Sequence, residues 1–174
     1  GLAMVPEERR AQGIVPVLSV FDNAGLVWDE FPNCRSTRDP KRAAIRAATD
    51  KLSVKTPSLA QRIDKLSGGN QQKVVLSKWL LAQTQVMLLD EPTRGIDVGA
   101  KREIYRIIAD LAEAGMAVVL VSSELPELLG LADRIVVMNA GSIVGELPGD
   151  TTEEDIVSLS MMHSGVSAAP TKGE

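Results

Sequence analysis

The apolar positions change rhythm along the chain, and each change predicts a different element. Residues 1–12 open on the apolar run Leu2-Ala3-Met4-Val5, which Pro6 breaks before the charged stretch Glu7-Glu8-Arg9-Arg10. Residues 14–31 are apolar without a clear period; Ser19 to Leu26 allows a helical turn or two. Residues 33–65 then lose most large apolar side chains and gain Arg35, Arg38, Lys41, Arg42, Arg46, Lys51, Lys55, Arg62 and Lys65. Asp39-Pro40 reads as an N-cap followed by Pro at the first helical position, predicting a helix from about Pro40 to Leu52. Thr56-Pro57 predicts a second short helix by the same logic. The segment reads as a small helical layer set apart from a sheet.

From Leu66 the pattern sharpens. Ser67-Gly68-Gly69 reads as a permissive turn into a helix from Asn70 to Ala82, with Val74, Val75, Trp79 and Leu80 as its buried stripe. Val86-Met87-Leu88-Leu89 is a continuous apolar run ending in Asp90-Glu91-Pro92, as a strand buried on both faces reads. Asp97 to Ala114 carries Ile104, Ile107, Ile108 and Leu111 on one side, and Gly115 ends it. Ala117 to Val121 is a second buried strand. Strand, helix, strand in that order is a βαβ unit, so the two strands are expected to be parallel. A short helix from Glu124 to Leu129 follows. Ile135 to Met138 and Ser142 to Leu147 flank Asn139-Ala140-Gly141 and read as a hairpin. Thr152-Glu153-Glu154-Asp155 is a capped start for a last helix to about Met162. Gly165 to Glu174 is small and polar and reads as disordered.

Composition narrows the function classes. At 174 residues the chain is long enough for one α/β domain with a real core. Aromatics at 3% disfavour a base-stacking surface, and a net charge of −4 disfavours general phosphate-backbone binding. No nucleic-acid partner is expected; Lys41, Arg42 and Arg46 read as a solvated helix face. One cysteine, Cys34, rules out an internal disulfide framework and, with one histidine, a Cys/His zinc cluster. Cys34 reads as a small side chain and His163 as an exposed bystander. Tyr105 and Trp79 read as core. The longest apolar stretch, Met116 to Val121, is far short of a membrane span, and no basic segment precedes an apolar run as in a signal peptide. A cytosolic location is expected by default.

Two short motifs carry the candidate chemistry. Asp90 stands at the C-terminal end of a parallel strand, where α/β folds place ligands. There it can hold Mg²⁺, and Glu91 beside it can polarise an attacking water as general base. Alone, the pair could equally end a strand and cap a turn. Ser67-Gly68-Gly69 at a helix start offers free N–H groups, a hydroxyl and the positive end of the helix dipole, an anion site. Alone, it reads more readily as a plain turn with a Ser N-cap.

Together, Leu66-Ser67-Gly68-Gly69-Asn70-Gln71-Gln72 followed at a fixed distance by Leu88-Leu89-Asp90-Glu91-Pro92-Thr93 resembles the ATP-binding-cassette (ABC) ATPases. Their signature reads LSGGQ before a Walker-B strand ending in DEP. Thr93-Arg94-Gly95-Ile96-Asp97-Val98-Gly99-Ala100, Asn70 in place of the signature glutamine, and Met4-Val5-Pro6-Glu7-Glu8-Arg9-Arg10 resemble the subgroup that energises bacterial import of ribose, xylose, galactose or similar monosaccharides. The resemblance runs from about Leu2 to Leu147. It implies an α/β, partial P-loop NTPase fold with parallel core strands, a helical subdomain and a C-terminal hairpin. The implied domains are 1–32, a truncated start of the ATPase core; 33–65, the helical subdomain; 66–150, the signature, Walker-B and switch portion; and 151–174, a helix and flexible tail.

The resemblance also implies roles. Ser67, Gly68 and Gly69, with Asn70 and Gln71, belong to the ATP-contacting signature, which faces the γ-phosphate held by an opposite cassette. Asp90 is the Mg²⁺ ligand, Glu91 the base, and Asp97 the D-loop aspartate reaching across the pair. Ser123 occupies the place of the switch histidine, and Glu7 falls near the Q-loop glutamine. Both depart from the family pattern, since a serine lacks the imidazole's charge and a glutamate lacks the amide donor. Such departures resemble the second cassette of a fused importer. Implied partners are a second cassette, transmembrane permease subunits docked on residues 33–65, and indirectly a periplasmic sugar-binding protein. The implied location is the inner face of the membrane, held there by the permease.

No glycine-rich loop ending in Gly-Lys-Ser/Thr occurs in the 174 residues. The resemblance places that Walker-A loop upstream of residue 1, so the chain is expected to be a cassette's downstream part. By itself it is expected neither to bind ATP tightly nor to hydrolyse it, and to self-associate through open sheet edges. A degenerate cassette half that only completes a partner's site is the alternative. A soluble ABC ATPase of DNA repair or translation is a third reading, and Pro92-Thr93-Arg94-Gly95-Ile96-Asp97 speaks against it.

Overall fold

The computed structural model describes residues 1–28 and 38–162, so Cys34, His163 and the expected disordered tail lie outside the described residues. The chain divides into two compact units, Gly1–Ser123 and Glu124–Glu174.

The first unit is built on three parallel strands, β1 (Leu2–Val5), β2 (Val86–Asp90) and β3 (Ala117–Val121), in the order β1-β2-β3. The apolar run at the start of the chain is thus an edge strand. The Asp90 strand is central, pairing Val5 with Leu89 on one side and Leu89 with Leu120 on the other. Side chains alternate across the sheet. Ala3, Val5, Met87 and Leu89 are buried, while Leu2, Met4, Val119 and Val121 on the opposite face remain exposed.

Helices α3 (Gly68–Leu81) and α4 (Val98–Glu113) cover the buried face, with α3 against β1 and α4 against β3. Ser67 caps α3 and Asp97 caps α4, each side chain accepting the N–H three residues on. The α3 cap sets the helix start two residues before the expected Asn70. The apolar stripe of α4, Ile104, Ile107, Ile108 and Leu111, is buried as its spacing predicts. Gly115, at φ +94°, closes α4: its N–H donates to Ala112 O and that of Met116 to Leu111 O. The α3 helix differs from its expected stripe. It buries Gln71, Gln72, Lys73, Ser77 and Lys78 along with Val74, Val75 and Leu76.

Two further helices pack on α3: α1 (Val20–Ala24), held by a Ser19–Asp22 capping box, and α2 (Arg38–Lys51). Because α2 is already formed at Arg38, Asp39 lies in its first turn and is not the cap. The helix expected at Thr56-Pro57 does not form. Residues 59–63 instead pair with 18–21: Phe21 N–H donates to Leu59 O at 2.9 Å, Val20 N–H to Gln61 O at 2.9 Å, and Ile63 N–H to Leu18 O at 3.1 Å. A helix would need those carbonyls for its own donors. Only a 3₁₀ turn, Ile63–Lys65, follows before Ser67.

The second unit begins with α5 (Leu125–Leu131), continues through the hairpin β4 (Arg134–Asn139) and β5 (Ser142–Pro148), and ends in α6 (Glu153–Met162). Ala140 and Gly141, at φ +49° and +80°, make the tight hairpin turn. Ile135, Val137 and Ile156 form its core, with Leu125, Leu128 and Leu159 packed on them. No helix among the described residues is long and apolar enough to cross a membrane.

Candidate functional site

The carboxylate end of the central strand is the first half of the site. Asp90 is the last residue of β2, half-buried, level with Val121 of β3. Glu91 follows with φ +45°, in the left-handed region that costs an L-residue about 1–2 kcal/mol. Two bonds from the end of β3 hold it there. Its N–H donates to Val121 O at 2.9 Å, and its side-chain Oε1 accepts the Ser123 N–H at 2.7 Å. Strain of this kind persists where surrounding structure over-determines it. Glu91 and Ser123, expected in the base and switch positions, are therefore in contact, through the serine's main chain. The sequence pattern suggested only the side chain.

The second half is the start of α3. Ser67 Oγ accepts the Asn70 N–H at 3.4 Å and the Asn70 Nδ2 at 2.9 Å, while Asn70 Oδ1 accepts the Lys55 N–H at 2.7 Å. Asn70 thus ties the turn to the segment after α2. Gln71 is 2% exposed and faces inward: its Nε2 donates to Ile63 O at 3.3 Å and to Leu66 O at 3.0 Å. The N–H groups of Gly68 and Gly69 remain at the positive end of the helix.

Each glycine has its own packing reason. A Cβ on Gly69 would lie 2.6 Å from the Ala100 Cβ of α4, so the two helices touch backbone to side chain there. A Cβ on Gly68 would lie 3.0 Å from a terminal nitrogen of Arg9. Arg9, in a π-turn over Arg9–Gly13, also donates from Nε to Gln71 Oε1 at 3.4 Å. Burial, and then its neighbour Arg10, lowers the pKa of its guanidinium from the ordinary arginine value.

Glu7 pairs with Arg94, in the loop that follows the Asp90-Glu91 pair. The 7–9 segment therefore touches both motifs, Arg94 through Glu7 and the start of α3 through Arg9 and Gln71. The sequence pattern assigns a role to Glu7 and none to Arg9 or Arg94, although both stand in its motifs. Their signal was present in the charge pattern of Pro6-Glu7-Glu8-Arg9 and Thr93-Arg94-Gly95, but nothing in it gave the pairing. Asp97 Oδ1 accepts the Ala100 N–H at 2.9 Å as the α4 cap.

Among the described residues no three His, Cys, Asp or Glu side chains gather as a metal cage. Mg²⁺ is bound by one or two carboxylates with phosphate oxygens and water completing the shell. Asp90, half-buried at a strand end, fits such a partial donor set.

The model of the ABC transporter family matches residues 1–94, more than half of the chain. The chain belongs to the ABC transporter family. Among curated relatives, it is 51% identical to the ribose import ATP-binding protein of Corynebacterium glutamicum, over 92% of this chain and 31% of that protein. It is 48% identical to the galactose/methyl galactoside import ATP-binding protein of Clostridium tetani, over 90% of this chain and 32% of that protein. It is 49% identical to the arabinose import ATP-binding protein of Pectobacterium atrosepticum, over 93% and 33%. The chain thus spans about a third of the length of these relatives. A solved structure of the ATP-binding cassette MJ0796, dimeric and bound to ADP and Pi after hydrolysis, matches with a TM-score of 0.74. That match has 20% identity and covers 87% of this chain and 64% of the cassette. The α/β fold of this ABC family member is therefore the P-loop NTPase fold of ABC cassettes, present in part.

Proposed function

We propose that the chain is part of the ATP-hydrolysing subunit of a bacterial monosaccharide importer. The observation that carries this reading is near-half identity, over nine-tenths or more of the chain, to import ATP-binding proteins for ribose, galactose and arabinose. The named sugars share a chemical class. Support comes also from Ser67, Gly68 and Gly69 standing at the start of α3 and from two adjacent carboxylates, Asp90 and Glu91, at a strand end.

Ser67, Gly68 and Gly69 offer the γ-phosphate held by a facing cassette the hydroxyl and N–H groups at the α3 start, while Asn70 and Gln71 hold that turn in shape. Asp90 holds Mg²⁺, which supplies charge neutralisation at the phosphates. Glu91 takes the proton of the attacking water, oriented by the Ser123 N–H on its other oxygen. Asp97 borders the facing cassette, and Glu7 with Arg94 ties the segment after β1 to the Asp90-Glu91 loop. The 174 residues hold no phosphate-cradling Gly-Lys-Ser/Thr loop, so the chain by itself neither binds ATP tightly nor hydrolyses it. Its partners are a second cassette, a permease reached through the α2 layer and, indirectly, a periplasmic sugar-binding protein, with the assembly on the cytoplasmic face of the membrane. The dimeric state of the MJ0796 cassette supports the pairing.

A second reading, a cassette half that only completes its partner's ATP site, is favoured by Ser123 in the switch position and by the engagement of Glu7 with Arg94. Glu91→Gln in the complete protein with its permease separates the two. Loss of the base lowers ATP turnover at this site about 10²–10⁴-fold under the first reading. An unchanged rate sinks it in favour of the second. Calorimetric titration of the 174-residue chain with Mg-ATP is expected to give no micromolar binding.

A further inference from the structure

Lys73 is a lysine 2% exposed in a helix whose start carries the signature. A buried ammonium needs partners, because desolvation of an unpaired charge costs several kcal/mol. Lys73 has two, from different elements. Its Nζ donates to Glu103 Oε2 of α4 at 2.6 Å and to the Ser53 carbonyl at 3.1 Å. Ser53, at φ +52°, is the left-handed residue that closes α2: its N–H donates to Asp50 O and the Val54 N–H to Thr49 O, both at 2.9 Å. One ammonium therefore joins the closing turn of α2, the signature helix and the helix that Asp97 caps.

Glu103 doubles the junction. Its other oxygen accepts Lys55 Nζ at 3.3 Å, and the Lys55 main-chain N–H donates to Asn70, whose amide in turn holds Ser67 Oγ. The path from the end of α2 to the Ser67 cap thus runs through charges and caps, with both sides converging on Glu103. Glu103 lies six positions after Asp97, on the helix whose Ala100 touches Gly69.

We propose that Lys73, acting through Glu103, is a positioning residue that makes the α2 end, the Ser67-Gly68-Gly69 turn and the Asp97 cap move as one body. Its use for the nucleotide site rests on the reading of those residues given above: a push on the α2 layer then reaches both Ser67 and Asp97. Sequence alone hides the junction, since Ser53, Lys73 and Glu103 are separated by 20 and 30 positions.

Native-state amide exchange of the 174-residue chain tests it without nucleotide. Glu103→Gln keeps the shape of a side chain that is 42% exposed and still offers the Lys73 ammonium an amide oxygen. Lys73→Met keeps the length of the buried chain and leaves Glu103 its second lysine. In both variants the Val54, Lys55, Asn70 and Ala100 amides are expected to exchange together at least about fivefold faster, while the β2 and β3 amides of Leu89 and Leu120 stay within about twofold. Purely local acceleration around the substituted residue overturns the proposal. So does a uniform rise that includes the sheet, the mark of a role in overall stability alone. Lys73→Met removes the buried ammonium itself and leaves Glu103 paired with Lys55, so in that variant an unaltered melting temperature with the joint acceleration present is the sharpest positive result. Failure here leaves the ATPase reading standing, whereas joint exchange with no effect of Glu91→Gln on turnover would strike that reading alone.

Discussion

At the residue scale, the two signature glycines are not equivalent. Both are in the first turn of α3, where alanine is favoured over glycine by about 1 kcal/mol. At Gly69 a new Cβ meets the Ala100 Cβ at 2.6 Å, an atom fixed to the α4 backbone that cannot rotate away. Overpacking at such a contact costs about 1–3 kcal/mol, so Gly69→Ala is expected to be net destabilising. At Gly68 the obstruction is the terminal nitrogen of Arg9, the far end of a flexible chain. Gly68→Ala is expected to stay within about 1 kcal/mol of the parent, since the helix preference offsets the displacement of Arg9. Urea midpoints of the two variants are expected to separate, and equal midpoints would show that α4 yields at Ala100. The motif's need for glycine is legible in the sequence, but the reason is not. Ala100 lies 31 positions from Gly69 (100 − 69), and no local pattern links them.

At the element scale, caps and periods were legible because they are local. Ser67, Asp97, Gly115 and the Asn139-Ala140-Gly141 turn each mark an end that the structure places within a residue or two. The helix expected at Thr56-Pro57 failed because its carbonyls are taken by residues 18–21, a pairing about forty positions away that the segment itself does not encode. The burial of Lys73 was hidden for the same reason. The Lys73–Glu103–Lys55 bridge between elements gives a pH dependence with a definite sign. The Lys73 hydrogen bond, then that of Lys55, holds the Glu103 carboxyl below its ordinary value. A depressed carboxylate stabilises the fold fully above its unfolded pKa, about 4.3, and this contribution is lost as pH falls through the lower folded value. The stability difference between the parent and Glu103→Gln is therefore expected to be constant above about pH 5 and to shrink below about pH 4. Thermal melts of both chains across that range measure it, and a difference that grows on acidification would contradict the assignment.

At the scale of the whole molecule, the sheet poses the remaining question. A parallel sheet is normally covered on both faces, and among the described residues of the first unit α3 and α4 cover one. The other presents Leu2, Met4, Val119 and Val121, exposed by 64%, 49%, 52% and 56%, on strands whose register brings Met4, Leu88 and Val119 into one row. β1 and β3 are also the sheet's edges, with main-chain groups open to another strand. Continuous apolar surface of this kind on an isolated chain drives association, because burying it returns about 25 cal/mol per Å². The 174-residue chain is therefore expected to self-associate, with a light-scattering mass that rises with concentration. Met4→Lys with Val119→Lys puts two like charges on that row and is expected to return the mass toward a monomer. Val157→Lys on α6, in the other unit, is the control and is expected to leave the rise unchanged. The three chains separate the sheet face from general stickiness. Equal suppression by the control would place the association elsewhere, and a monomeric parent at every concentration would show that the open face does not associate. Suppression by the sheet pair alone ties association to the face opposite α3 and α4, where exposed apolar side chains stand in register.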